Sequence, residues 1–258
     1  MDENNSKDCP TEEFKKWALG WSGCHGGDIS KGSIWICGIE WGGQYNNPQE
    51  LRNEFNRDVS KPPDGYCAKE GNFASQFDIA VFKIINAFKG EDIQVKYYRD
   101  LPFKPFVKGE KGFFKLNLFP LAFSSTDPAL WTACYKDATG FKTKDKYKDW
   151  CRINRFRKIK EWVEDYKPMA LICFGNTETY DDFLLAFTGN NKNKLKDRGI
   201  TFKNNKTNEW HERQLCWTKL NDMCLIICPF PVNRNGLNSD GLRQKCGEVI
   251  SKIITENE

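Results

Sequence analysis

The chain has 258 residues, a formal net charge of +4 and a hydrophobic fraction of 39%. This balance excludes an intrinsically disordered chain, and the length is sufficient for one α/β domain with a sizeable core. The small positive charge is compatible with a polyanionic partner but does not require one. No run approaches the ~20 apolar residues of a membrane-spanning helix, so we expect no membrane partner.

The N-terminus and the cysteines bear on location and cofactors. The first ten residues are polar and acidic, unlike a signal or transit peptide, and we expect a cytoplasmic protein. Eleven cysteines are scattered without a CxxC pair, several of them inside apolar runs, which predicts reduced and mostly buried thiols. The spacing of Cys134 and Cys151 does not suffice for an iron–sulfur cluster, and no zinc pattern is present, so we expect no metal and no cofactor.

Apolar runs alternate with segments of helical periodicity along most of the chain. The predicted strands cover residues 33–38, 113–118, 169–174, 213–218 and 224–228, the last two as a hairpin or as two adjacent strands. The predicted helices begin near Phe77, Trp150, Tyr180 and Ser239. This alternation predicts an α/β fold, a three-layer α/β/α sandwich with a mostly parallel central sheet. We assign residues 1–29 to an N-terminal helical extension and residues 30–258 to the α/β domain.

The segments that follow the predicted strands are the candidates for a binding site, because ligands of parallel sheets bind at the carboxyl ends of the strands. These segments are rich in Gly, Pro and Asn, and each contains polar side chains. They read GIEWGG (38–43), NLFPL (117–121), GNT (175–177) and CPFPVNRN (228–235). We expect the four segments to converge on one cleft.

The four segments resemble motifs of the uracil-DNA glycosylase superfamily, and its single-strand-selective monofunctional branch is the most similar. The matching stretches are GIEWGG (38–43), LNLFPLAF (116–123), LICFGNTET (171–179) and CPFPVNRNGLNSDGLRQKCGEVI (228–250), in the order of the family. The resemblance implies a uracil-DNA glycosylase-like fold, a DNA partner from which one base is flipped, and hydrolysis of the N-glycosidic bond by a monomer.

Two positions depart from the family's pattern. Glu40 occupies the place of the Asn or Asp that positions water, and Cys228 occupies the place of the His that stabilises the departing base anion. Asn117 matches the family's Asn that recognises the Watson–Crick edge of the flipped base. The resemblance thus makes Glu40 and Cys228 the catalytic candidates and Asn117 the recognition residue. The alternatives are a solvated loop Glu, a buried core thiol and a structural Asn.

The remaining candidates have alternatives in the core or on the surface. An aromatic side chain must stack on the flipped base, and the candidates are Trp41, Tyr45 and Phe73. The candidates for contact with the DNA backbone and the vacated base position are Gly42, Gly43, Asn233, Arg234 and Asn235, with Arg234 as the side chain that enters the stack. His25 is either a residue of a Gly-rich turn or a group that reaches the cleft.

Basic residues are concentrated in two segments. Residues 141–160 contain nine Lys or Arg and two Asp, and residues 190–206 contain six Lys or Arg and one Asp. Phosphate contacts would use such segments, although a solvated helix face has the same composition.

These observations favour a DNA glycosylase that removes a damaged or modified pyrimidine, such as a uracil derivative or a hypermodified cytosine of phage DNA, and leaves an abasic site. Two alternatives stay open. One is a catalytically inactive module on the same fold that recognises modified or abasic DNA. The other is an interaction protein that reuses the fold.

Overall fold

The computed structural model describes residues 9–66, 75–94, 100–125, 127–204 and 207–256. Its strands are β1 (Cys24–Gly27), β2 (Ile34–Gly38), β3 (Phe113–Asn117), β4 (Ala170–Gly175), β5 (Lys196–Asn204), β6 (Glu209–Leu220) and β7 (Met223–Pro229). Its helices are α1 (Glu12–Leu19), α2 (Pro48–Phe55), α3 (Gln76–Phe88), α4 (Ala133–Thr139), α5 (Lys144–Trp150), α6 (Phe156–Tyr166), α7 (Tyr180–Thr188) and α8 (Asp240–Thr255). A π-helical turn, Cys151–Arg155, joins α5 to α6.

The strands form one seven-stranded sheet in the order β1-β3-β2-β4-β7-β6-β5. The four central strands β3, β2, β4 and β7 are parallel, whereas β1, β6 and β5 join the edges in antiparallel orientation. The predicted α/β class with a mostly parallel central sheet is confirmed. The two candidate strands near the C-terminus are neighbours in the sheet, as β6 and β7.

Each face of the sheet is covered by an apolar layer, because successive side chains of a strand point to opposite faces. On β2, Trp35 and Cys37 pack with α1, α2 and α4–α7, while Ile34 and Ile36 pack with α3 and α8. Every residue of β2, β3 and β4 is buried. The three layers therefore leave the strand ends as the places where side chains can meet a ligand.

The N-terminal segment contains more than the predicted helix. It contains α1, and it also contains β1, which is hydrogen-bonded to β3 in the central sheet. The sequence CHGG of β1 has no apolar alternation, which is why periodicity does not reveal this strand.

One helix boundary and one strand also differ from the sequence prediction. The helix predicted from Trp150 begins earlier, with α5 at Lys144, because the first turns of this helix are mostly charged. The sequence pattern does not predict the edge strand β5, because its side chains are mostly exposed and polar.

The described cysteines are free thiols, and all of them except Cys9 are buried, as the sequence predicts. Among the described residues, no helix combines the length and the apolar character that crossing a bilayer requires.

Candidate functional site

A cavity of about 300 Å³ lies at the carboxyl ends of β2 and β3. Four of the predicted site residues line it, namely Glu40, Trp41, Gly42 and Asn117. A second cavity, of about 770 Å³, lies at the opposite edge of the sheet, next to Met169 and Met223, and none of the predicted site residues line it. Because ligands of parallel sheets bind at the carboxyl edge, the smaller cavity is the candidate site.

Asn117 is the last residue of β3 and is almost fully buried at the floor of this cavity. Its neighbour in the register of β2 is Gly38. A Cβ atom at Gly38 would lie 2.3 Å from Oδ1 of Asn117, so only glycine leaves room for the amide. On the other side, the carbonyl of Gly23 accepts hydrogen bonds from the backbone N and, at 3.4 Å, from Nδ2 of Asn117. Among the described residues, Oδ1 accepts no hydrogen bond, so it is available to a ligand.

The loop that holds Asn117 is itself held by a buried arginine. Arg155, in the π-helical turn, is fully buried and donates hydrogen bonds to Ser22 and to the carbonyls of Ala18, Gly20 and Leu118. A guanidinium with its donors satisfied in this way is a rigid support. It therefore fixes the turn before β1 against the residue that follows Asn117.

Glu40 lies two residues beyond β2, and its side chain is only 7% exposed. Oε1 accepts a hydrogen bond of 3.2 Å from Nζ of Lys144, whose side chain is 2% exposed. Oε2 is buried and has no hydrogen-bond partner among the described residues. Burial raises the pKa of Glu40 above its ordinary value of 4.5, while the ammonium of Lys144 counteracts this effect. The site thus contains a buried carboxylate with one oxygen committed to Lys144 and one uncommitted.

Lys144 is held in place by contacts other than the ion pair. Nζ donates to the carbonyl of Ser125 at 3.3 Å and lies 3.6 Å from the ring centroid of Phe123, both of which line the cavity. Burial lowers the pKa of Lys144, and the carboxylate of Glu40 counteracts it. The pair therefore orients the carboxylate at the cavity wall.

A second buried ion pair lines the same cavity. The side chains of Lys115, on β3, and Asp78, in the first turn of α3, are 3% and 7% exposed and are joined by a hydrogen bond. Nζ of Lys115 also lies 3.1 Å from Nδ1 of His25 on β1. Burial lowers the pKa of Lys115, and Asp78 counteracts it. Burial and the nearby ammonium hold the pKa of His25 well below its usual 6.5, so its ring is neutral at pH 7.

Aromatic rings form the remaining wall. The rings of Phe77 and Phe230 lie 5.4 Å apart between centroids at an angle of 45°, and both line the cavity. The ring of Trp41 packs on His25 at 4.0 Å, and its buried Nε1 has no hydrogen-bond partner among the described residues. Such rings provide flat apolar surfaces for a nucleobase.

The sequence prediction does not identify five residues of this site, namely Asp78, Phe77, Lys115, Lys144 and Phe230. The signal for Lys115 is a lysine inside the apolar run FFKLNLF, since a charge in a buried strand requires a partner. For His25, the structure favours the alternative in which it reaches the cleft.

Two of the predicted residues, Cys228 and Tyr45, lie away from the cavity, and a third falls outside the described residues. Cys228 is fully buried between β7 and α8, with its Sγ 3.9 Å from Sγ of Cys246, so it does not line the cavity. Burial raises the pKa of this thiol, which excludes a reactive thiolate near pH 7. Tyr45 is half-buried and packs on Tyr135 instead of lining the cavity. Phe73 lies outside the described residues.

The segment after β7 is a compact loop with an exposed tip. Asn233, Arg234 and Asn235 are exposed and do not line the cavity. Arg213 on β6 donates hydrogen bonds to the carbonyls of Gly236 and Arg234 and so fixes the loop backbone. Among the described residues, the guanidinium of Arg234 has no ion-pair partner, which leaves it free to contact a ligand.

The glycine pair beyond Trp41 is exposed, and Gly43 has a positive φ of 129°. A Cβ at Gly42 would meet nothing within 4 Å, so packing does not require a glycine at this position.

The basic segment 141–160 is not a uniform solvated face, because Lys144 and Arg155 are buried.

Within the part of the chain that the structure describes, no group of three His, Cys, Asp or Glu side chains is arranged to hold a metal ion. No family model matches the sequence, and no curated protein matches it either.

Proposed function

We propose that the cavity at the ends of β2 and β3 accepts one base extruded from DNA, and that the protein hydrolyses the N-glycosidic bond of that nucleotide. One observation supports this proposal above the others. The buried carboxylate of Glu40, with one oxygen unpartnered, and the buried amide of Asn117 line the same cavity. Its volume of about 300 Å³ lies at the lower end of the ~300–1,000 Å³ of small-molecule pockets, which suits a single base.

The carboxylate of Glu40 acts on the sugar. Water attacks C1′, the C1′–N bond breaks, and the base leaves with both electrons of that bond. Oε2 of Glu40 accepts a hydrogen bond from the attacking water and takes its proton, while Lys144 holds Oε1. The negative charge of Glu40 also stabilises the positive charge that develops on the sugar.

The amide of Asn117 acts on the base. It offers a donor and an acceptor to the Watson–Crick edge, and a base with the wrong pattern would leave these buried groups unpaired. Phe77 and Phe230 flank the flipped base. The substrate class that we propose is a damaged or modified pyrimidine, with uracil derivatives and hypermodified phage cytosines as the members to test.

Contact with the rest of the DNA is assigned to the exposed loops. Arg234, at the tip of the loop after β7, enters the position that the base vacates, and the exposed Gly42 and Gly43 let the backbone approach a phosphate. The protein acts as a monomer in the cytoplasm in this proposal.

The test is an incubation of the protein with oligonucleotides that contain uracil, hydroxymethyluracil or glucosylated hydroxymethylcytosine, followed by alkali. Strand breaks at the modified position, reduced at least ~100-fold in Glu40→Gln, are the expected result. If no substrate is cleaved but the protein binds the same DNA with a steep salt dependence, the fold serves a catalytically inactive binding module. If the protein neither cleaves nor binds DNA in a salt-dependent way, the remaining alternative is an interaction protein that reuses the fold.

A further inference from the structure

The hairpin of β5 and β6 extends beyond the carboxyl ends of the central strands. Within the described residues, β6 pairs with β7 over Cys216–Leu220, whereas its ladder with β5 covers Glu209–Trp217. Because β6 is antiparallel to β7, its first half continues past Pro229, where β7 ends. At ~3.4 Å per residue, Trp210 lies about 14 Å beyond Pro229. The tip of this two-stranded ribbon therefore lies at the same edge of the sheet as the cavity.

The inner face of the hairpin is fixed to the body of the protein. Phe202 and His211 are register partners, and their rings stack with centroids 6.5 Å apart at an angle of 20°. The ring of Phe202 lies against Gly241 in the first turn of α8, where a Cβ atom would come within 2.2 Å of it. Arg213 donates hydrogen bonds to the backbone of the loop after β7. The hairpin is therefore rigidly joined to the loop that we assign to DNA contact.

The outer face of the hairpin carries an exposed tryptophan beside a lysine. Lys203 and Trp210 are the register partners that follow Phe202 and His211, so they point to the side away from α8. The residue Trp210 is 67% exposed, and Nζ of Lys203 lies 5.7 Å from its ring centroid. A single exposed apolar side chain needs no explanation in itself. An indole with a cation beside it, at the tip of a projecting ribbon, is nevertheless a surface on which a planar ring can stack.

The charges are distributed unevenly between the two strands of the hairpin. Strand β5 contains three basic residues and one acidic residue, whereas the projecting half of β6 contains two acidic residues and one basic residue. They are Lys196, Arg198, Lys203 and Asp197 on β5, and Glu209, Glu212 and Arg213 on β6. Arg198 pairs with Glu256, so Lys203 is the basic side chain that accompanies Trp210. A polyanion that carries planar rings, which is a nucleic-acid strand, matches this surface when its phosphates follow β5 and a base faces Trp210.

The distance between the hairpin and the cavity is short enough for one strand to reach both. Strand β6 lies three positions from β2 in the sheet, which at ~4.8 Å per strand is about 14 Å. Together with the projection of the tip, the separation is about 20 Å. At ~3.4 Å per nucleotide of a stacked strand, at most about six nucleotides bridge it.

We infer that the outer face of the β5–β6 hairpin is a second nucleic-acid contact of this protein, at which Trp210 stacks on an unpaired base of the strand that carries the extruded nucleotide, while Lys203 contacts a phosphate next to that base. The inference rests on the proposed function in that the strand is DNA and its extruded base occupies the cavity. The contact lies outside the cavity and adds affinity and strand direction, without taking part in the hydrolysis.

The test measures the affinity of the wild type for single-stranded oligothymidylates that carry one uracil on a hydrolysis-resistant 2′-fluoro sugar, with flanks of increasing length on either side. Affinity should rise with the length of one flank up to about six nucleotides. Trp210→Ala should lower the affinity for the longest oligonucleotide about 5–100-fold and abolish the dependence on that flank, while Trp210→Phe keeps part of both. Ile153→Ala is the control, because Ile153 is 57% exposed but lies in the π-helical turn.

The salt dependence of binding provides a second readout. Lys203→Ala should lower the slope of log affinity against log salt concentration by ~0.7, the value for one phosphate contact with a single strand. Lys252→Ala, on the exposed side of α8, should leave the slope unchanged.

The outcomes separate this inference from the proposed function. Wild-type affinity and flank dependence in a folded Trp210→Ala variant would overturn the inference, even if the protein releases a base. A wild-type dimer in sedimentation that Trp210→Ala dissociates would also overturn it and assign the hairpin to a second copy of the chain. If no base is released but the Trp210-dependent affinity is present, the hydrolysis fails and the contact stands. If the wild type binds no oligonucleotide, both fail.

Discussion

Gly38 and Asn117 are register partners on β2 and β3, and the space that a Cβ of Gly38 would fill is occupied by Oδ1 of Asn117, 2.3 Å from that position. The glycine at the end of one strand therefore determines where the amide at the end of the next strand can lie. The next contacts of such a Cβ are 3.5 Å or longer, so a methyl group here would displace the amide and disturb little else.

This relationship predicts the behaviour of Gly38→Ala. The variant should fold, but its amide should be displaced by an ångström or more, and base release should fall about 100-fold. Gly199→Ala is the matched control, because Gly199 lies on the exposed strand β5 and a Cβ there would meet nothing within 4 Å. Single-turnover rates and thermal unfolding of both variants check the prediction. Full activity of Gly38→Ala would show that the position of the amide is irrelevant to the reaction.

The Glu40–Lys144 pair predicts the pH dependence of the reaction. Glu40 must be ionised to accept a proton from water, and burial raises its pKa, so the rate should fall with decreasing pH through a value above 4.5. Lys144 opposes this rise. Its replacement in Lys144→Met therefore raises the pKa of Glu40 further, and the acid limb of the rate profile moves to higher pH. A limb that stays in place in Lys144→Met would contradict the assignment of the limb to Glu40.

The Asp78–Lys115 pair predicts a non-additive effect on stability. Lys115→Met leaves a buried carboxylate without its cation, which should lower the free energy of unfolding by about 3–5 kcal/mol. Replacing both residues, in Lys115→Met with Asp78→Leu, removes both charges and should recover most of the loss. Urea unfolding of the wild type, the two single variants and the double variant measures the coupling. Additive losses would mean that the two side chains do not interact in solution.

The sequence predicts the parallel centre of this fold and four of the residues that line the cavity. The runs at 33–38 and 113–118 are continuous and apolar, and the parallel arrangement then brings Glu40 and Asn117 to the same edge of the sheet. The same continuity explains why the sequence prediction places Cys228 in the cavity, although it is buried between β7 and α8. A strand that is buried on both faces has no alternation, so its sequence does not show which face a residue belongs to.

The rest of the site depends on contacts between distant parts of the chain. Asp78 and His25 lie 37 and 90 positions from Lys115 in the sequence, and no local pattern links them. Asp78 also has a local explanation, since it accepts from the helix-capping Ser75 at the start of α3. A lysine in an apolar strand signals that a partner exists, but only the packing of α3 and β1 identifies it.

The exposed loop after β7 predicts that Arg234 affects base release from duplex DNA more than base release from single-stranded DNA. In Arg234→Ala, base release from a duplex should fall about tenfold, because nothing replaces the extruded base in the stack, while release from single-stranded DNA should change little. Lys252→Ala removes the same charge from the exposed side of α8 and serves as the control. If the rate of base release fell equally on duplex and single-stranded DNA, Arg234 would instead contact a phosphate of the DNA backbone.

The most direct measurement is a crystal structure of Glu40→Gln bound to an oligonucleotide that carries the modified pyrimidine on a 2′-fluoro sugar, which resists hydrolysis. The proposed function predicts that the base lies in the cavity at the ends of β2 and β3, with its edge within hydrogen-bond distance of the amide of Asn117 and its C1′ facing residue 40. A base that remains stacked in the DNA, or DNA bound on another surface with the cavity free of it, would contradict the proposal.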